Sequence, residues 1–141
     1  MLMADMGAEV IKVEAPKSGD DTRRYAPPFL QKGPGEDSDV AAYFTSCNRN
    51  KYSVAVDFKT KEGQDVVKHL LGSADIVIEN FKAGGLAKYG LGYDQLKDDF
   101  PQLIYCSITG FGHTGPYSKR PAYDMLIQAR PGDCFLQGIG M

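Results

Sequence analysis

Apolar positions along this chain come in short bursts separated by stretches of helical spacing. Ala8-Glu9-Val10-Ile11-Lys12-Val13-Glu14 centres on Val10 and Ile11 and is stopped by Ala15-Pro16, which predicts a strand. Tyr52-Ser53-Val54-Ala55-Val56-Asp57 alternates larger apolar residues with smaller or polar ones, as a second strand should. After Thr60, a plausible N-cap, Val66, Val67, Leu70 and Leu71 share one helical face and Gly72 ends the run. Ile76-Val77-Ile78 is short, continuous and β-branched, the pattern of a strand covered on both faces. Short helices are expected near Leu86–Tyr89 and Tyr93–Asp98, and Leu103–Thr109 completes the set as a strand after Pro101.

Alternation of strand and helix with crossovers of this length implies an α/β fold, a parallel sheet with helices on its faces. Residues from about Lys17 to Asp39, rich in Pro, Gly and Asp, read as a loop, and Val40–Cys47 as a short helix. At the start, Met1–Met6 followed by Gly7 reads as the last turns of a helix with its terminal glycine. Such a helix lacks the strand that should precede it, so truncation is expected.

The stretch richest in chemistry is Asn80-Phe81-Lys82, which arrives at the end of a predicted strand and runs into Ala83-Gly84-Gly85. Asn offers a donor and an acceptor, Phe a flat apolar face, Lys a flexible cation, and the glycines allow close approach to the backbone. A helix opening near Ala83 or Gly84 would add N–H groups suited to phosphate. An ordinary turn would also use these residues, with Asn80 closing it, Phe81 in the core and Lys82 solvated. Asp20-Asp21-Thr22-Arg23-Arg24 could hold an anion, but alternating charges in a loop more commonly satisfy each other.

Composition narrows the classes. The 141 residues, 43% hydrophobic and 24% charged, suit a globular domain able to bury a core. A net charge of -2 with dispersed basic residues excludes nucleic-acid binding by bulk electrostatics, and no apolar run is long enough to span a bilayer. Cys47, Cys106 and Cys134 lack metal-type pairing and read as reduced thiols, Cys106 as a small core residue within a strand. His69 and His113 are too far apart in sequence to support a two-His metal site. Gly110-Phe111-Gly112-His113-Thr114-Gly115 matches G-x-G-x-x-G, but Pro116 and Pro121 oppose the helix that a dinucleotide site needs, and no acidic residue follows at the required distance. These glycines read as a loop beside a ligand or as tight turns. No G-x-S-x-G elbow supports a serine nucleophile.

Taken together, Met3–Glu14, Asn50–Asp57, Asp75–Lys82, Ser107–Gly112 and Pro121-Ala122-Tyr123-Asp124 with Gln128-Ala129 resemble, in order and spacing, the family III CoA-transferases. The resemblance is nearest to the branch that moves CoA between succinyl-CoA and dicarboxylates such as glutarate, a mitochondrial branch, although no targeting segment is recognisable in this chain. It implies a Rossmann-like large domain, incomplete over residues 1–129, in a homodimer of interlocked chains, with acyl-CoA and a carboxylic acid as substrates and no metal. Carried over by position, Val56 to Lys59 would flank the adenine of coenzyme A, Asn80, Phe81 and Lys82 would meet nucleotide and pantetheine, Lys88 and Tyr89 would complete the phosphate wall, and Tyr123 would sit near the thioester.

The resemblance also implies what is missing. The family's nucleophilic aspartate lies in a Gly-Asp motif beyond the Tyr-Asp segment; Asp124 matches a structural position, and Gly132-Asp133 comes far too early. Residues 130–141 depart from the expected Gly-rich continuation and read as an aberrant tail, while Ala15 and Pro121 stand where some members carry basic residues. A racemase branch of the same fold has a catalytic His where this chain has Tyr123, and a neutral tyrosine is a poor proton shuttle. A non-catalytic nucleotide binder, or a chain that pairs with a full-length subunit, is the remaining alternative. Without the neighbouring elements, the sheet should show uncovered faces.

Overall fold

The computed structural model describes residues 1–123. Asp124, Gln128, Ala129 and the 130–141 tail with Asp133 and Cys134 therefore lie outside the described residues. The chain divides into two compact units, Met1–Gly63 and Gln64–Met141, and the division falls inside the span read as one partial domain.

The first unit begins with α1 (Leu2–Asp5), closed by a hydrogen bond from the Gly7 N–H to the Ala4 carbonyl at 3.1 Å. Strands β1 (Ile11–Glu14) and β4 (Tyr52–Ala55) pair in parallel, Ile11 opposite Tyr52 and Glu14 opposite Ala55. Side chains of successive strand residues point to opposite faces. Lys12, Glu14 and Ser53 thus share one face, over which a 3-10 helix (Asp21–Arg24) and α2 (Ala42–Asn48) contribute Arg23, Phe44 and Asn48.

The predicted loop between Lys17 and Asp39 is more ordered than its composition suggested. It contains that 3-10 helix and an antiparallel hairpin, β2 (Phe29–Gly33) and β3 (Glu36–Ala41), joined through Pro34 and a left-handed Gly35. Gln31, Lys32, Glu36, Asp37 and Asp39 are exposed, so the hairpin carries no apolar alternation by which sequence reading could find it. Val40 and Ala41, read as helical, belong to the end of β3 instead, and α2 starts at Ala42.

Helix α3 (Lys61–Leu71) is capped as expected, the Thr60 hydroxyl oxygen accepting the Gly63 N–H at 3.1 Å. Gly72 donates to the Lys68 carbonyl at 3.1 Å and terminates it. In the second unit, β5 (Ile76–Glu79) and β6 (Ile104–Ser107) pair in parallel with Ile76 opposite Ile104 and Glu79 opposite Ser107. Between them lie a 3-10 helix (Ala87–Tyr89) and α4 (Tyr93–Leu96), with Leu71, Leu91 and Leu96 forming this unit's buried core.

Parallel pairing between strands linked by helical crossovers confirms the α/β class. Full coverage of β5 does not follow: Ile76 and Ile78 are 41% and 53% exposed, and Ile104 and Cys106 on β6 are exposed too. Cys106 is therefore not a core residue among the described residues. Continuous β-branched composition reports what a strand can bury, and the cover itself must come from other segments.

Candidate functional site

The strand-end site is built by alternation. Val77 and Glu79 share the half-buried face of β5, and Tyr105 and Ser107 share that of β6. The ladder continues to the Ile108 N–H, which donates to the Glu79 carbonyl at 2.8 Å. At this edge the Glu79 carboxylate accepts twice: Oε2 takes the Phe81 N–H at 2.7 Å, and Oε1 takes the Ser107 hydroxyl. The chain then folds back tightly. Gly85 N–H donates to the Lys82 carbonyl at 2.6 Å, and a Cβ at Gly85 would stand 2.8 Å from that oxygen, which only glycine avoids. Gly84 has φ +73° and no atom within 4 Å of where a Cβ would be, so its backbone is open to an approaching ligand.

Beneath this turn lies a cavity of about 580 Å³, lined among others by Glu79, Gly85, Tyr93, Tyr105, Ser107 and His113. Tyr105 spans its wall, donating its hydroxyl to the Leu91 carbonyl at 3.0 Å and meeting the Tyr93 ring edge-on with centroids 6.0 Å apart. Burial, and then the charge of Glu79, pushes the Tyr105 phenol up to about 12, so it stays a neutral donor.

The residues anticipated as a CoA site fall in both units. Val56 is buried, its N–H donating to the Glu14 carbonyl at 2.9 Å; its side chain belongs to the first unit's core. Lys59 is exposed, in a turn where its N–H donates to the Asp57 carboxylate at 3.1 Å. In the second unit Asn80 and Lys82 are exposed, and Phe81, expected in an ordinary turn to be core, is 45% exposed. Lys88 is exposed with its Nζ 4.8 Å from the half-buried Tyr89 ring, and Tyr123 is largely exposed. Residues 80–89 thus lie along one turn and its 3-10 helix. No α-helix opens at Ala83 or Gly84; turns occupy 83–86 instead.

Two other motifs resolve. Among the described residues the charges of Asp20–Arg24 do not pair with each other as expected: the ion pairs run to β1, Asp20 with Lys12 and Arg23 with Glu14. No helix forms through Gly110–Gly115; Gly112 and Gly115 take positive φ, and Phe111 packs near Tyr117 with centroids 5.8 Å apart. The dinucleotide geometry is absent among the described residues. Sequence reading gave no role to Glu79, Ser107 or Tyr105; the available signal was a lone acid at the same alternation position as Val77, next to the Asn-Phe-Lys turn.

A family model, CoA-transferase family III, matches residues 1–140. This chain belongs to that family. Over 97% of its length it is 53% identical to a succinate–glutarate CoA-transferase of Agrobacterium fabrum, and over 98% it is 45% identical to the human succinyl-CoA:glutarate CoA-transferase. Among solved structures, a CAIB/BAIF family protein from Brucella suis matches 92% of the chain with a TM-score of 0.83 and 58% identity. The chain spans about a third of these proteins, 34%, 30% and 33% respectively.

Proposed function

We propose that this family III chain supplies part of the CoA-binding platform of an enzyme that moves CoA from an acyl-CoA such as succinyl-CoA to a carboxylic acid, a dicarboxylate above all. The family match over residues 1–140 carries this reading. The donor set supports it as well. Lys82 and Lys88 are exposed cations suited to phosphate, Phe81 and Tyr89 are flat apolar faces suited to the nucleotide, and the Gly84 backbone is open. In this reading Tyr123 stands near the thioester, and Val56 to Lys59 contribute through backbone and the Lys59 ammonium, since the Val56 side chain is buried.

CoA supplies a thioester that a carboxylate can attack. In the proposed reaction an aspartate carboxylate adds to the donor acyl carbon, the C–S bond breaks, and CoA thiolate leaves behind an acyl-aspartyl anhydride. The thiolate then attacks the aspartyl carbonyl, releasing the donor acid, and the acceptor carboxylate repeats the exchange in reverse. That aspartate belongs to a Gly-Asp segment that these residues do not include, and Asp133 does not replace it. The family's dimer is part of the same proposal. A racemase role is disfavoured because Tyr123 occupies the position where that branch needs a histidine proton shuttle.

Calorimetric titration of the purified chain with CoA and, separately, with NAD tests the reading. CoA binding without NAD binding is expected; tight NAD binding with none for CoA would reverse it. The chain alone should show no acyl-CoA-dependent exchange, and turnover abolished by Asp133→Asn would refute the assignment of the nucleophile.

A further inference from the structure

We propose that Glu79 is a positioning residue that sets the Asn80-Phe81-Lys82 turn for the nucleotide end of CoA; this rests on the CoA-platform reading above. The geometry is a strut between a strand edge and a turn. One carboxylate oxygen holds the Phe81 N–H at 2.7 Å, directly at the start of the turn, and the other takes the Ser107 hydroxyl from β6. Ser107 is Glu79's own register partner, so the strut ties the turn to the β5–β6 ladder rather than to a mobile surface group.

The neighbourhood favours orientation over charge storage. Among the described residues no salt bridge reaches Glu79, in contrast with Glu14, which Arg23 and Lys12 face directly. The groups on the elements around Glu79 are Tyr105 and Ser107 on β6, Tyr93 and Asp94 on α4 and His113 beyond β6, all lining the same cavity. A carboxylate whose oxygens are divided between a backbone N–H and a neighbouring strand fixes the direction in which the next side chains leave the sheet. With Phe81 N–H bound backwards, Asn80 and Lys82 project from a turn already closed by the Gly85-to-Lys82 hydrogen bond. Pre-ordering of this kind lowers the entropy lost when a flexible phosphorylated ligand is captured.

Glu79→Ala removes both acceptor oxygens, so the Phe81 N–H and the Ser107 hydroxyl both lose their partner, whereas a glutamine could keep both contacts by donating to the serine oxygen. Amide hydrogen exchange of Phe81, read by NMR, and CoA affinity, read by calorimetry, together separate the possible results. We expect exchange at Phe81 to accelerate by about tenfold and CoA affinity to fall by about tenfold, with the β5–β6 amides unchanged. Ser107→Ala should give a smaller loss of affinity, and the double variant should bind no worse than Glu79→Ala alone, because both act through one strut. If Glu79→Ala does not fold, Ser107→Ala carries the same comparison. Unchanged exchange at Phe81 overturns the strut, and accelerated exchange with unchanged CoA affinity overturns its positioning role. Absence of CoA binding by the unaltered chain instead overturns the platform reading, and with it Glu79's role toward CoA, while protected exchange at Phe81 still reports the strut.

Discussion

Strands β1 and β5 each end in a glutamate whose carboxylate takes a serine hydroxyl from its parallel neighbour, Ser53 for Glu14 and Ser107 for Glu79. There the likeness stops. Glu14 is buried and also receives the Arg23 guanidinium at 3.1 Å and the Asp20 N–H at 3.0 Å, with Lys12 Nζ at 3.8 Å, while Arg23 and Lys12 both stand over the Phe44 ring. Glu79 faces a cavity and holds the Phe81 N–H. The same strand-end acid is closed by cations where it fastens a 3-10 helix to a sheet, and left beside a cavity where it holds a turn. What surrounds a carboxylate, rather than its position on a strand, decides whether it serves the fold or the site.

The contrast is sharpest under truncation. Glu14→Ala strands the Arg23 guanidinium, the Asp20 N–H and the Ser53 hydroxyl, while Lys12 keeps Asp20, and should cost about 3 kcal/mol in chemical denaturation. Glu79→Ala should cost about 1 kcal/mol, having lost hydrogen bonds without stranding a charge. Equal losses in the two unfolding curves would erase the distinction between the two acids.

Next in size is Gly85→Ala. Its Cβ would meet the Lys82 carbonyl at 2.8 Å, so the turn must open, and we expect about 1–3 kcal/mol of destabilisation with weakened CoA binding. A stable variant that binds CoA as well as the parent would show that the tight turn is dispensable. Lys82→Ala should leave stability unchanged but weaken CoA by about tenfold at low ionic strength, an effect that shrinks as salt is added. Salt-independent binding would point away from phosphate recognition.

The smallest effect concerns acid. Burial would raise the Asp20 carboxyl, but the Lys12 ammonium and the Thr22 hydroxyl and N–H outweigh it and hold it down, from 3.8 to about 2. A depressed carboxyl stabilises the fold above its unfolded value and ceases to do so as pH falls through its folded one. Stability of the first unit should therefore decline between pH 3.8 and about 2, and Asp20→Asn should flatten that part of the pH–stability curve. An unaltered acid limb in the variant would assign the decline to other carboxylates; Glu14, also held below its usual range, is the first to examine: burial acts to raise it, but the Arg23 guanidinium and Ser53 hydroxyl outweigh that.

Much of the framework was legible because it is local. Thr60 and Gly72 mark the ends of α3 through bonds to residues within the same turn, and period-two alternation locates β4, while β1 begins at Ile11 rather than centring on Val10 and Ile11. Where local pattern is silent, sequence reading failed: the polar β2–β3 hairpin has exposed side chains on most positions, and only strand pairing reveals it. Ile76, Ile78 and Cys106 show the converse, apolar positions that pattern assigns to a core and that stand exposed in the described chain. For the site, Asn80, Phe81 and Lys82 were visible as residue types at a strand end, whereas Glu79 was passed over because nothing in its neighbours' identities says which donors will reach it.

By itself, then, the sequence determined the α/β alternation, the helix caps and the presence of a polar turn after β5, all set by interactions spanning a few residues. Tertiary structure alone decided that Glu14 would be enclosed and Glu79 open, and that Ser107, distant along the chain, would complete the strut. Hydrogen bonds between strands and cations folded back from a loop depend on which segments meet in space, and periodicity carries no record of that meeting.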